Sequence, residues 1–184
     1  MVVVIVAALA IVAVLARYLY WTASRLDRLH ARVDAAGFAL DEQLGRRGAS
    51  VVFFSTAMPL HRDIADALTR SAREAAAVPG LGHDREVVEN AVTLALAHAV
   101  AASLDCFTDP SPAATELHDE ALRASFARGF YNDTVRDALV IRDRRVVRWL
   151  RLSGHAPHPA YFEMDDEELP LSRISVASGP TIET

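Results

Sequence analysis

The chain has 184 residues, which is enough for one folded domain with an appendage and too few for two full domains. All 19 of its basic residues are Arg, so chemistry that needs a lysine, such as Schiff-base formation, is excluded. A net charge of -5, with Arg scattered along the chain, argues against nucleic acid as a partner. The single cysteine, Cys106, excludes an internal disulfide and a cysteine-rich zinc site, and we interpret it as a small buried apolar residue.

The first residues predict a transmembrane helix. Residues 2–16, VVVIVAALAIVAVLA, contain no polar side chain, and with the next five residues they approach the ~20 needed to span a bilayer. Arg17 can extend toward the headgroups, and Tyr18, Tyr20 and Trp21 are typical of the membrane interface. A cleaved signal peptide is disfavoured because no basic segment precedes the apolar stretch and no small-x-small site follows it. We therefore expect residues 1–21 to be an uncleaved membrane anchor.

The arginines around this stretch predict its orientation. Arg17, Arg25, Arg28 and Arg32 all follow the apolar residues, whereas only the α-amino group precedes them. Positive residues favour the cytoplasmic side of a membrane. We therefore expect a single-pass protein of the cell membrane, with its N-terminus outside and the remainder of the chain in the cytoplasm.

The anchor helix is predicted to continue to about Leu44. Apolar or small residues recur at alternating spacings of four and three: Thr22, Leu26, Leu29, Val33, Ala36 and Leu40. We interpret this seam as docking within an intramolecular bundle. The alternative is a coiled coil between copies, through the part from Leu26 to Leu40. Gly45 and Gly48 are interpreted as the punctuation that ends the helix.

Further helical segments are predicted before residue 110. The segment ASVVFFSTA, residues 49–57, is interpreted as a helix on the core that is interrupted near Pro59. A second helix is predicted to start at Pro59 and to stop at VPGLG. Asp84 is expected to cap a third helix, which ends before TDPSP. The third helix is expected to bury one apolar face, formed by Val87, Ala91, Leu94, Ala95, His98 and Ala102.

The last helix is predicted from Ala113 to Leu152, with Gly154 as its stop signal. An acidic run, prolines and small polar residues follow it, so residues 169–184 are expected to form a disordered tail. The predicted fold class is therefore all-α. It consists of the anchor followed by a helical bundle over residues 22–168, with a docked C-terminal loop.

Four stretches, in this order, resemble the LemA family. They are RVDAAGFALDEQLGRR (32–47), DREVVENAVTLALA (84–97), RGFYNDTVRDALV (128–140) and HAPHPAYFEMDD (155–166). The last two match the family's most characteristic feature, a Tyr-Asn-x-x-Val-Arg-Asp helix followed by a loop that ends in Phe-Glu. Residues 48–82 depart from the family, which usually continues through Ile-Pro-Asn-Leu after the basic pair. The resemblance implies a single-pass membrane protein with an elongated, antiparallel helical bundle, and it supplies no reaction.

Polar residues in the third of these stretches are candidates for an interaction site. On a helix, Asp133 lies three residues before Arg136, so a local ion pair is available. Tyr131 and Asn132 fit a bundle core in which the hydroxyl finds a partner and the amide fixes the register of the helices. The functional alternative is a polar surface for a partner protein or ligand. With the C-terminal loop, the candidate interaction residues are Tyr131, Asn132, Arg136, Tyr161 and Phe162.

The loop also suggests a second function of a different class, a metal-dependent hydrolase. His155 and His158 lie near Glu163, and imidazole and carboxylate are ordinary metal ligands. Their spacing matches no dedicated metal site. The chain contains no Gly-x-Ser-x-Gly motif, no phosphate-binding glycine loop and no dinucleotide fingerprint. We therefore expect no catalytic residue, no metal and no cofactor.

The basic stretch RDRRVVRWLR, residues 142–151, has two interpretations. It lies on the anionic inner leaflet, or it is a helix end stabilised by the helix dipole. The predicted function is a noncatalytic interaction or scaffold protein at the membrane. Its expected partners are the lipid bilayer, through the N-terminal helix, and an unidentified membrane or cytoplasmic protein. A homo-oligomer through the seam is the alternative.

Overall fold

The structure is a computed structural model that describes residues 1–103, 111–143 and 158–165. Within these ranges it contains helices and no strand, which confirms the predicted all-α class. The helices are α1 (Val2–Ala57), α2 (Arg62–Ala77), α3 (His83–Ser103) and α4 (Pro112–Arg142). The predictions for Cys106, residues 144–151 of the basic stretch, Leu152, Gly154, His155 and the tail at 169–184 lie outside the described residues.

Helix α1 includes both the predicted anchor and the ASVVFFSTA segment. It continues well past Leu44, so the predicted helix end is wrong, and Gly45 and Gly48 lie inside the helix. Each glycine costs about 1 kcal/mol in a helix interior, whereas full burial of a large apolar side chain contributes roughly 1.5–3 kcal/mol. Leu44, Val51 and Phe54 are all buried. Their burial outweighs the cost of both glycines, and the helix continues.

The predicted seam along α1 is buried at most of its positions. Leu29 is half-buried, and the structure does not describe the side chain of Leu26. The buried members are Thr22, Val33, Ala36 and Leu40. Thr22 satisfies its hydroxyl locally, because Oγ1 donates a hydrogen bond to the carbonyl of Tyr18 at 2.8 Å.

Helix α2 begins three residues later than predicted. Pro59 precedes it, and His61 occupies the N-cap position with an extended backbone and makes no side-chain capping bond. The buried residues of α2 are Leu68, Ala72 and Ala75. Gly80, with a φ of 75°, takes the left-handed conformation in the turn that leads to α3.

Helix α3 buries a different face from the predicted one. Val87 and Leu94 are 54% and 73% exposed, and Ala91, His98 and Ala102 are exposed as well. The buried residues are Arg85, Glu89, Val92, Thr93, Leu96, Ala99 and Val100. The predicted face is wrong because Arg85 and Glu89 lie on the buried face of α3, where they pair with each other. Asp84 lies in the first turn of α3 and is not its N-cap.

Helix α4 starts at Pro112, one residue before the predicted start. Proline fits the first position of a helix because its missing N–H would have no intrahelical partner there. The helix is described as far as Arg142. Its buried residues are Ala113, Ala114, Leu117, Ala124, Tyr131, Val135, Ala138 and Ile141.

The chain divides into two compact units. Unit 1 comprises Met1–Ala36 and Asn132–Tyr161, and unit 2 comprises Gly37–Tyr131 and Phe162–Thr184. All four helices contribute to the hydrophobic core of unit 2, which consists of Val51, Phe54, Leu68, Ala72, Ala75, Val92, Leu96, Ala99, Val100, Ala114 and Leu117.

Candidate interaction site on helix α3

A buried ionic group lies where α3 faces the second half of α1 in unit 2. Arg47, Arg85 and Glu89 are 3%, 5% and 3% exposed. Arg85 Nε donates a hydrogen bond to Glu89 Oε1 at 2.8 Å, and Arg47 Nη1 donates to Glu89 Oε2 at 3.3 Å. Both oxygens of one buried carboxylate are therefore engaged by guanidinium groups, and this pairing offsets the cost of removing the charges from water.

Neighbouring groups accept the other hydrogen bonds of the two arginines. Arg47 Nη2 donates to Thr93 Oγ1 at 2.6 Å. Arg85 Nη1 donates at 2.6 Å to the carbonyl of Val78, which follows the end of α2. Asp41, half exposed to solvent, lies 3.6 Å from Arg85 Nη1. The ionic group therefore joins α1, α3 and the loop after α2, and Glu89 is positioned to hold two cations.

The same helix holds an extended segment from the C-terminal part of the chain. The backbone N–H of Glu163 donates to Glu86 Oε1 at 2.8 Å, and the N–H of Asp165 donates to Asn90 Oδ1 at 2.9 Å. Residue numbers rise together along both partners, so the segment runs parallel to α3. We call residues 162–165 the docked segment.

The repeat distances of a helix and an extended chain explain this pairing. Four residues of an α-helix advance about 6 Å along its axis. Two residues of extended chain advance about 6.6 Å. Acceptors at positions 86 and 90 of α3 therefore match the amides of residues 163 and 165. The helix side chains bind the peptide backbone in the way that an edge strand binds an added strand.

Alternate side chains of the docked segment are buried. Phe162 and Met164 are 1% and 9% exposed, whereas Glu163 and Asp165 are exposed. Arg47 Nη1 also donates to the Sδ atom of Met164 at 3.1 Å, so the segment contacts the buried ionic group. The site therefore recognises a backbone and two apolar side chains, and it leaves the intervening side chains in water.

The five candidate interaction residues do not share one unit. Tyr131 and Phe162 belong to unit 2, and the other three belong to unit 1. Tyr131 is buried and Asn132 is half-buried. Arg136 is exposed and pairs with Asp133 at 3.1 Å, as the helix spacing predicts. The other two members, from the loop, differ in exposure.

Burial separates the two aromatic candidates of the C-terminal loop. Tyr161 is 44% exposed, whereas Phe162 is almost completely buried. Only Tyr161 of this pair therefore offers a surface to a partner, and Phe162 fixes the docked segment instead.

The residues of the metal hypothesis are placed only in part. His155 lies outside the described residues, and His158 and Glu163 are exposed. Within the described ranges, no three His, Cys, Asp or Glu side chains are grouped so that they could hold a metal ion.

Sequence reasoning missed Arg47, Arg85, Glu89 and Met164. One signal for Arg47 was available, because it lies three residues after Leu44 and four before Val51, on the stripe of α1 that is buried. A second signal was the spacing of four residues between Arg85 and Glu89, which permits an ion pair on one helix. Neither signal identifies the partner on the other helix.

No family model, curated protein or solved structure matches this chain. Only the quoted motifs connect it with the LemA family, and that likeness stays a prediction.

Proposed function

We propose that this protein is a noncatalytic, single-pass membrane protein of LemA type, whose antiparallel helical bundle acts as an interaction or scaffold element at the cytoplasmic face of the cell membrane. The start of α1 carries the proposal. This helix is long and apolar enough to cross a membrane, and none of its most apolar 18-residue window is buried in the protein. A bilayer supplies the apolar surroundings that such a segment requires.

Residues after the apolar stretch support the cytoplasmic orientation. Arg17, Arg25, Arg28 and Arg32 follow it on α1, and positive residues favour the cytoplasmic side. The Arg25 guanidinium lies 5.7 Å from the centre of the Trp21 ring, a cation–π contact that suits a residue at the membrane interface.

The exposed face of α3 supports the interaction role. Val87, Ala91 and Leu94 share this face, and all three are exposed. An apolar helix face at the surface favours a protein partner that covers it. The engagement of both Glu89 oxygens by arginines favours a structural role for that carboxylate over acid–base chemistry.

Charges placed in the apolar stretch test the anchor. We expect the variant with Ala8→Asp and Val12→Asp to leave the membrane fraction on alkaline extraction, because an Asp at the centre of a span costs about 2.5–3.5 kcal/mol. The wild-type protein should stay in that fraction. The matched control carries Val87→Asp and Leu94→Asp, two equal changes at exposed positions, and should also stay. Membrane retention of both variants would contradict the proposal.

The same control variant tests the interaction role. A photocrosslinking residue at position 91 of the full-length protein should form a discrete adduct with a protein partner in the membrane fraction. Val87→Asp and Leu94→Asp place charges on both sides of position 91 and should abolish the adduct. An adduct that persists unchanged in this variant would show that the exposed face of α3 is not the contact.

A further inference from the structure

A groove in unit 1 carries positive charge next to the predicted membrane span. Its volume is about 530 Å³. Trp21, Arg25, Arg28 and Arg32 line one wall. Their spacings of four, three and four residues place them on one face of α1. The other wall belongs to α4, and among the described residues that line the groove it carries one carboxylate, that of Asp137.

The three arginines have no carboxylate at the helix spacings that permit a local ion pair. The positions three and four residues away from each contain no Asp or Glu, whereas Arg28 lies three residues from Arg25 and four from Arg32. Like charges at these spacings destabilise a helix. No carboxylate among the described residues forms an ion pair with Arg25, Arg28 or Arg32. By contrast, the exposed Arg46 and Arg136 each pair with a carboxylate on their own helix. An anion bound between the three arginines would relieve their repulsion.

The direction of α1 brings these side chains toward the lipid headgroups. If Trp21 marks the edge of the hydrocarbon, Arg25, Arg28 and Arg32 lie about 6, 10 and 16 Å further along the helix axis. The headgroup layer is roughly 5–8 Å thick on each side of a bilayer. Helix side chains tilt toward the N-terminus, which for α1 is the membrane side. The guanidinium groups of Arg25 and Arg28 therefore return to the level of the phosphates, and the long side chain of Arg32 extends to the outer edge of the headgroup layer.

We propose that this groove binds the phosphate of an anionic phospholipid headgroup. The proposal rests on the membrane anchorage proposed above. Arg25, Arg28 and Arg32 donate hydrogen bonds to the phosphate oxygens, since the planar guanidinium matches that geometry. Trp21 lies at the membrane end of the groove, where the indole suits the glycerol region of the lipid. Among the described residues that line the groove, three guanidinium groups face one carboxylate, so this lining is cationic and prefers anionic over neutral lipid.

The test measures binding of labelled phosphatidylglycerol to the full-length protein in nanodiscs of neutral phosphatidylcholine. We expect Arg28→Gln with Arg32→Gln to weaken binding roughly 30-fold, as two surface arginines should. Arg28→Lys with Arg32→Lys should retain most of the affinity. The matched control, Arg62→Gln with Arg70→Gln, removes two exposed arginines from α2 and should bind as the wild type does.

The outcomes separate the groove from the anchor. The groove is overturned as the binding site if both glutamine variants weaken lipid binding equally. It is also overturned if neither variant weakens lipid binding. A wild-type protein that stays in the bilayer without preferring anionic lipid also overturns it and leaves the anchor intact. A wild-type protein recovered outside the bilayer overturns the anchorage itself. Soluble glycerol phosphate is the competitor that tests for a free anion. If it displaces the labelled lipid when the two are present at equal concentration, the ligand is a free anion and the lipid proposal is overturned.

Removal of the carboxylate in the groove should change lipid affinity in the opposite direction to removal of the arginines. Asp137→Asn removes the negative side chain that lines the groove in the described part of the chain. It should therefore tighten binding of phosphatidylglycerol about fivefold. Weaker binding in this variant would show that Asp137 organises the arginines for another purpose and would contradict the proposal.

Discussion

Glu89 illustrates how one buried residue can determine the stability of its surroundings. It accepts hydrogen bonds from Arg85 and Arg47, and all three side chains are nearly inaccessible to water. Removing one partner of a buried ionic group leaves the others uncompensated. The loss is larger for Glu89 than for either arginine, because Glu89 is the carboxylate that the two cations share.

We expect Glu89→Gln to destabilise the protein by about 3–5 kcal/mol. For a chain of this size, such a change lowers the melting temperature by roughly 10 °C. Thermal unfolding of the full-length protein in detergent micelles measures the shift. The matched control is Glu42→Gln, which neutralises an exposed carboxylate paired with Arg46 and should change stability by less than about 1 kcal/mol. Equal melting temperatures for the two variants would contradict a buried ionic group.

At the scale of single elements, the sequence predicts helices better than it predicts their buried faces. The period of the α1 seam identified residues that are buried, because apolar side chains occupy that face almost alone. The same reasoning failed for α3. The face predicted to be buried, with Val87 and Leu94, lies at the surface, whereas Arg85 and Glu89 find partners inside. Arg47 of α1 pairs with the buried Glu89 from 42 residues away in the sequence, so the local pattern of α3 does not reveal this partner.

The docked segment shows a second limit of prediction. Its burial depends on acceptors at positions 86 and 90, more than seventy residues earlier in the chain. No local pattern in the sequence connects the two. The sequence indicated Tyr161 and Phe162 together as contacts, and only the structure distinguishes the exposed ring from the buried one.

We expect Phe162→Ala to release the docked segment. Truncation of a buried phenylalanine costs about 3–5 kcal/mol, so the N–H of Asp165 should exchange with deuterium at least about 100-fold faster. Hydrogen exchange of the full-length protein in micelles measures this rate. Glu163→Ala changes an exposed neighbour and should leave the exchange of Asp165 unaltered. Unchanged protection of Asp165 in Phe162→Ala would contradict the role of Phe162.

At the scale of the whole molecule, a helix able to span a membrane is easier to predict than an activity. One helix, α1, contains the apolar stretch and also core residues such as Val51 and Phe54. The apolar stretch is recognisable because crossing a bilayer places a strong demand on about twenty consecutive residues. An interaction surface makes no such demand on composition, and its partner is absent from the sequence.

Orientation gives a prediction at this scale. In a Cys106→Ser background, Ala91→Cys places a single thiol on an exposed face of α3. A membrane-impermeant maleimide should label it in inverted bacterial vesicles and leave it unlabelled in intact cells, because the positive residues after the span favour the cytoplasm. Labelling in intact cells would reverse the orientation and move the search for partners to the outer side of the membrane.

The pairing between α3 and the docked segment limits its own length. Each step of four helix residues falls about 0.6 Å short of two extended residues. This mismatch accumulates, so a third pair would be displaced by more than 1 Å from the position where the first two align. The chemistry of α3 changes at the same point, since position 94 is a leucine, which accepts no hydrogen bond. A peptide that displaced the docked segment would therefore pair with α3 over only four or five residues. The selectivity of α3 for such a peptide would depend on the two side chains that become buried.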